Sequence, residues 1–425
     1  MQSPLSLHKA LLIAAFLCFL AFAIFYFSGL SALTGPSLIL GFICLAIGFT
    51  GFKNLSGFSF TVWIFAAVSA SMFYPELFKQ YGDFKLTELI VPLLQLIMFG
   101  MGTAMSIKDF VGVIKMPKGV IVGIICQFTI MPFVGMSIAY AFNFPPEIAA
   151  GVILVGSSPS GLASNVMAFI AKANIALSVT LTACATLLAP IMTPFLMQKL
   201  AGQYIPIDFL GMMWSIFRMV ILPIIAGLLF HYAANQATKK SILKIFAILA
   251  AIFVVVFAVS QFIIYSWIDE LMVFILVIFG ITLLAWYLQR FAEKLENTMP
   301  VVSMVGIAVI ITVITASGRE SLLTIGAALI LAAFIHNMSG YFLGYMLCKL
   351  IKMDEKSCRT IALEVGLQNG GLASAIAQEM GKVATVGLAP AVFGPLMNIT
   401  GSSLATWWRG KPIKQPEPEK IHSGS

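Results

Sequence analysis

The sequence predicts an all-α polytopic membrane protein carrying an inverted internal repeat, and three observations lead there. Mean hydropathy is +1.00, and 60% of the 425 residues are hydrophobic against 10% charged. A soluble domain of this size needs a far more polar surface. The apolar runs are long and continuous, as helices require, whereas a membrane barrel shows short alternating segments. One stretch, Ile361-Ala-Leu-Glu364-Val-Gly-Leu-Gln368-Asn369-Gly370-Gly371-Leu-Ala-Ser374, sets a carboxylate, two amides and three glycines inside such a run. A carboxylate at bilayer depth costs roughly 2.5–3.5 kcal/mol on insertion scales, so its default reading is functional. Glycines let a membrane helix break, and a break is tolerated where the freed backbone lines a cavity.

Fourteen runs are near the twenty residues that a bilayer requires. They are 9–28, 34–52, 58–77, 88–107, 118–141, 147–170, 174–198, 208–232, 242–266, 271–290, 300–317, 321–350, 357–380 and 384–408. The first follows only His8 and Lys9 and lacks a small-residue cleavage site, so it reads as a retained helix. With a cytoplasmic N-terminus, nineteen of the 25 Lys and Arg fall on the cytoplasmic side. Only Lys79, Lys85, Lys199, Arg319 and Lys382 fall outside, and Arg218 lies within a span. This asymmetry satisfies the positive-inside rule and places both termini in the cytoplasm. The tail 410–425 has no apolar face and is expected to be disordered.

Gly161-Leu-Ala-Ser164 recurs as Gly371-Leu-Ala-Ser374, an offset of 210 that also pairs Lys172 with Lys382 and Gln127 with Asn337. The first copy lies in the sixth span and the second in the thirteenth, so the two run in opposite directions. Paired interrupted helices in corresponding positions of two halves point to a transporter binding site.

Around these breaks lie Ser164 and Asn165, with Ser178 and Thr182 one turn apart on the next span. Hydroxyl and amide oxygens plus one carboxylate suit a monovalent cation such as sodium; a divalent site wants more carboxylates. Glu364 is the charge partner, Gln368 sits one turn on, and Gln127 is an isolated amide able to complete a shell. Carbonyls of an unwound turn, such as Val365 and Leu367, can also hold a cation, while half-helix N-termini attract an anion. Each feature also has a bland reading. Ser and Thr in membrane helices often bond the backbone, His336-Asn337 is a candidate proton site but reads first as a satisfied structural histidine, and Arg218 is expected to pair or snorkel. Ser157-Ser158-Pro159-Ser160-Gly161 lacks the strand–turn–helix context of a nucleophile elbow.

The six cysteines show no CxxC spacing and read as buried thiols. No P-loop and no soluble domain are present to drive an ATP-powered pump, no two-aspartate, HExxH or Ser/His pair supports an intramembrane enzyme, and the basic charge reflects membrane orientation rather than nucleic-acid binding.

From about Phe58 to Arg409 the chain resembles the bile acid:sodium symporter (BASS) family, especially its bacterial members. The resemblance is carried by Met98-Phe-Gly-Met-Gly102, Ile125-Cys-Gln127-Phe-Thr-Ile-Met-Pro132, Gly151-Val-Ile-Leu-Val-Gly156, Ala163-Ser-Asn-Val-Met167, Ala176-Leu-Ser178, Glu364-Val-Gly-Leu-Gln-Asn369 and Asn398-Ile-Thr-Gly401. It implies an inverted-repeat transporter with two crossed discontinuous helices, a core (about 118–200 and 321–408) and a panel (about 58–107, 208–232 and 300–317). It implies one sodium site from Ser164, Asn165, Ser178, Thr182 and Glu364. A second would use Gln127, Glu364, Gln368 and the carbonyls of Val365 and Leu367. The substrate would sit by Gly161, Leu162, Asn369, Gly370, Met397 and Asn398. The chain departs in three ways. Residues 1–55 add a helix pair, about 241–290 inserts another, and Leu162 and Met397 replace a threonine and a histidine that some bacterial members carry. The expected function is sodium-coupled symport of an organic anion, bile-acid-like or a small carboxylate, across the bacterial inner membrane. No organic cofactor is implied. A proton-coupled antiporter on a similar scaffold is the alternative.

Overall fold

The computed structural model describes residues 4–52, 55–106, 112–235, 238–261 and 266–412. Its helices follow the hydropathy. In order they are α1 Pro4–Phe27, α2 Ser31–Thr50, α3 Ser59–Phe73, α4 Ile90–Thr103, α5 Pro117–Ala141, α6 Pro146–Ser157, α7 Ala163–Ile170 and α8 Ile175–Leu196. Then come α9 Phe209–Asn235, α10 Lys239–Ser260, α11 Ser266–Tyr287, α12 Gln289–Ser317, α13 Arg319–Leu350, α14 Glu355–Gly366, α15 Gly370–Glu379 and α16 Leu388–Arg409. A two-residue antiparallel ribbon, Gln80–Tyr81 with Phe84–Lys85, sits between α3 and α4.

Among the described residues, ten helices are long and apolar enough to cross a membrane, fewer than the expected fourteen. The difference has a physical cause. Ser59–Phe73 is short, the segments over 147–170 and 357–380 are each split in two, and Leu388–Arg409 carries Asn398, Thr400, Ser402 and Arg409. The helix expected over 300–317 is longer, starting at Gln289. The expectation for the tail falls mostly on 413–425, outside the described residues.

Burial grades from the centre outward. α6 is buried along nearly its whole length, and α14 from Ser357 onward. α5, α8, α13 and α16 pack around these broken segments. α1 packs on α2 and α2 on α3, leaving Phe16, Leu20 and Ile24 exposed. α11 leans on α9, and α10 exposes Ile248, Val254 and Val255. The α1–α2 and α10–α11 pairs therefore lie at the rim, with apolar faces a bilayer can cover. The six cysteines are free; Cys126, Cys348 and Cys358 are buried as expected, whereas Cys18, Cys44 and Cys184 are partly exposed.

Candidate functional site

Two helix interruptions build the site. α6 ends at Ser157 and α7 begins at Ala163; α14 ends at Gly366 and α15 begins at Gly370. The two connecting turns meet as an antiparallel bridge between Ser160 and Gln368. The Gly161 N–H donates to the Leu367 carbonyl (3.0 Å), and the Asn369 N–H donates to the Pro159 carbonyl (2.8 Å). Gly161 suits this approach, since a Cβ there would lie 3.1 Å from the Gln368 carbonyl oxygen, closer than ordinary contact. The bridge corrects the repeat register. Its local twofold relates positions 160 and 368, which are 208 apart, not 210. The helix-ending turns match Lys172 (φ 54°) with Gly381 (φ 66°), one residue short of Lys382 and one beyond the register of the bridge. The Gly-Leu-Ala-Ser match is thus displaced from the structural equivalence.

Beside the bridge lies the first cluster. Glu364 is 2% exposed, Ser164 and Ser178 are wholly buried, and Thr182 is 1% exposed. Ser178 Oγ is bonded to Glu364 Oε1, and Thr182 Oγ1 donates to Glu364 Oε2 at 2.9 Å. Asn165 Oδ1 lies 2.8 Å from Ser178 Oγ and 3.2 Å from Thr182 Oγ1. Ser164 spends its proton on the Gly161 carbonyl at 2.8 Å. Two hydroxyl protons therefore face an amide oxygen and both carboxylate oxygens. This surplus of acceptors in a buried place is what a cation relieves.

The second cluster joins it through Gln368. Gln127 Nε2 donates to the Ser158 carbonyl (2.9 Å) and to Gln368 Oε1 (2.7 Å), and Gln368 Nε2 donates to the Val365 carbonyl (2.5 Å). Gln127 Oε1 is buried without a partner among the described residues. The Leu367 carbonyl already accepts from Gly161 and keeps one lone pair. Ser160, whose hydroxyl is also buried and unpartnered, was not singled out as a binding residue by the sequence. Its signal lay in the Ser157–Gly161 motif, which was weighed only as a nucleophile.

All six expected substrate residues line one cavity of about 110 Å³. Gly161, Leu162, Asn369, Gly370, Met397 and Asn398 line the side at the crossing, where Asn369 and Asn398 are the polar side chains among the six, and Leu94, Ile97 and Met98 of α4 with Ile307, Ile310 and Ile311 of α12 form an apolar wall. The lining holds no cationic side chain. The N-termini of α7 and α15 both open on it, and Asn369 caps α15 by accepting from the Leu372 N–H at 3.0 Å. Aligned free N–H groups at two helix starts give this side a positive potential.

Arg218 pairs as expected, with Glu270 of α11 (3.1 Å) and Glu379 of α15 (2.8 Å). His336, expected to be a satisfied structural histidine, departs from that expectation together with its neighbour Asn337. Both are wholly buried, and neither ring nitrogen nor either amide atom has a partner among the described residues. Gly156 packs against His336, and a Cβ there would lie 3.1 Å from His336 Nε2.

Two interrupted helices that cross around an acidic side chain, inside a bundle of membrane-length helices, define a multi-pass membrane transporter rather than an enzyme. The comparisons agree. Residues 91–267 match the profile of the Sodium Bile acid symporter family. The chain is 34% identical over 369 residues to the "Uncharacterized sodium-dependent transporter YocS" of Bacillus subtilis (strain 168), covering 87% of this chain and 96% of that one. It is 31% identical over 325 residues to the "Probable sodium/metabolite cotransporter BASS1, chloroplastic" of Arabidopsis thaliana, covering 76% and 67%. It is 31% identical over 300 residues to the "Ileal sodium/bile acid cotransporter" of Oryctolagus cuniculus, covering 69% and 70%. The chain belongs to the sodium bile acid symporter family.

Proposed function

We propose that the protein is a symporter that couples sodium entry to uptake of a small organic anion by alternating access. The observation that carries this reading is the acceptor surplus around Glu364, set directly behind two helix N-termini that open on a cavity. Ser164, Asn165, Ser178, Thr182 and Glu364 would hold one sodium ion. Gln127, Gln368 and the Val365 and Leu367 carbonyls, with Glu364 shared, would hold a second. Filling these sites neutralises Glu364, which otherwise repels an anion at Asn369 and Asn398. Cation and anion then bind with mutual dependence, as coupling requires.

The cavity favours the small-carboxylate end of the range. At about 110 Å³ it falls well below the roughly 300–1,000 Å³ of sites for drug-sized ligands. A carboxylate would face the Asn369 and Asn398 side-chain amides and the first turns of α7 and α15, and a short apolar body would lie against the α4–α12 wall. Core and panel would then correspond to the crossing bundle and that wall, in an inner membrane with both termini cytoplasmic. A proton as coupling ion fits less well, since it needs one acceptor rather than a shell of oxygens. Uptake of labelled small carboxylates into proteoliposomes, driven by a sodium gradient or by a pH gradient alone, tests the reading. Accumulation should follow sodium; uptake that follows only the pH gradient overturns it.

A further inference from the structure

Away from the crossing, α13 and α16 part at one end and leave a cleft with two contiguous chambers. The inner chamber, about 610 Å³, is apolar and faces outward from the bundle; Phe334, Met338, Phe342 and Leu404 line it. The outer chamber, about 710 Å³, holds Lys349, Lys352, Arg359 and Lys411 against Asp354 and Glu355. Tyr345, Trp407 and Trp408 line both, so one chamber runs into the other.

The charges of the outer chamber are unevenly spent. Glu355 is held by Lys349 (2.6 Å) and Arg359 (2.9 Å), and by the Tyr345 hydroxyl (2.9 Å). Asp354 caps α14 by accepting from the Ser357 N–H. Lys352 makes no ion pair among the described residues, and Lys411 rests on the Trp407 ring, 5.3 Å from its centroid.

We propose that this cleft is a binding site for one anionic phospholipid. Its phosphate would sit between Lys352 and Lys411 at the aromatic belt, and one acyl chain would descend the groove between α13 and α16. Basic pockets between membrane helices suit such headgroups, and indole rings sit at headgroup level. The apolar chamber is what selects a lipid over a soluble phosphate, which has no part to place there. The groove also touches Tyr341, whose hydroxyl lies 3.2 Å from Thr400 Oγ1 on the helix that carries Met397 and Asn398. This inference does not depend on the transport reading.

Native mass spectrometry of the full chain tests it, with phosphatidylglycerol and phosphatidylcholine of identical acyl chains as probes. One phosphatidylglycerol should be retained at least tenfold more tightly than phosphatidylcholine. The double variant K352Q/K411Q should abolish that preference, and K352R/K411R should keep it. Ser403→Trp, which fills the groove, should weaken both lipids. Equal retention of the two lipids, or full preference in K352Q/K411Q, overturns the proposal and leaves annular lipid only. Displacement by inorganic phosphate at the same concentration as the lipid also overturns it and assigns the pocket to a soluble anion.

Discussion

Replacing Glu364 with glutamine is the most direct test of the sodium cluster. The amide keeps the shape of the side chain, so the helix break and the packing around it are retained. What it removes is the single formal negative charge among five oxygen-bearing side chains, at a position 2% exposed to solvent. Removing one partner of a buried charge pair costs about 3–5 kcal/mol. At 1.4 kcal/mol per tenfold, sodium affinity should fall by roughly two to four orders of magnitude. The assay is uptake into proteoliposomes at fixed anion and rising sodium, alongside sodium-dependent thermal stabilisation of the purified protein with choline as control. E364Q should lose both responses while melting near the parent value in choline. A folded E364Q whose sodium half-saturation stays within threefold of the parent would refute the assignment of the carboxylate to the cation.

Three further outcomes are expected. Gln127→Leu removes the bonds to Ser158 and Gln368 but leaves the Ser178–Thr182 cluster intact; the sodium Hill coefficient for uptake should fall from near two to near one, and an unchanged coefficient argues against a second ion. Gly366→Ala would place a Cβ 2.1 Å from Cδ1 of the buried Tyr341 ring; overpacking of this kind costs about 1–3 kcal/mol, so the melting temperature in detergent should drop by several degrees, and no drop would mean the two helices can separate freely. Arg218→Gln cuts the links to Glu270 and Glu379, but all three side chains are partly exposed; the loss should be under about 1 kcal/mol, read as a small thermal shift, and a large one would make the arginine a structural pivot.

The outline was legible wherever chemistry and hydropathy disagree. Glu364 stood out because a carboxylate does not belong in an apolar run, and Gln127 because it is a lone amide. Ser178 and Thr182 followed from helical spacing alone. Ser160 escaped because a serine in a turn looks like any other until the partner turn is seen against it. The repeat register also misled. Identity of Gly-Leu-Ala-Ser reports descent, whereas the backbone bridge reports which atoms face each other, and the two differ by two residues. Span counting overshot the strict membrane-length tally because a helix broken in mid-bilayer keeps its hydropathy but loses its length. Nothing in the sequence could show that His336 and Asn337 are buried without a partner among the described residues, since that depends on how the surrounding helices pack.

The pair of main-chain bonds at the crossing ties each interrupted segment to the other rather than to its own continuation. Pulling the two apart would strand two amide protons and two carbonyl oxygens in a largely buried place, at about 1–3 kcal/mol per group. Carrying both together strands none. The cheapest route for turning the cavity from one side of the bilayer to the other is therefore to shift the whole knot as one cargo-bearing piece, sliding along the leucine, isoleucine and methionine wall of α4 and α12, which offers no hydrogen bond to hold it back.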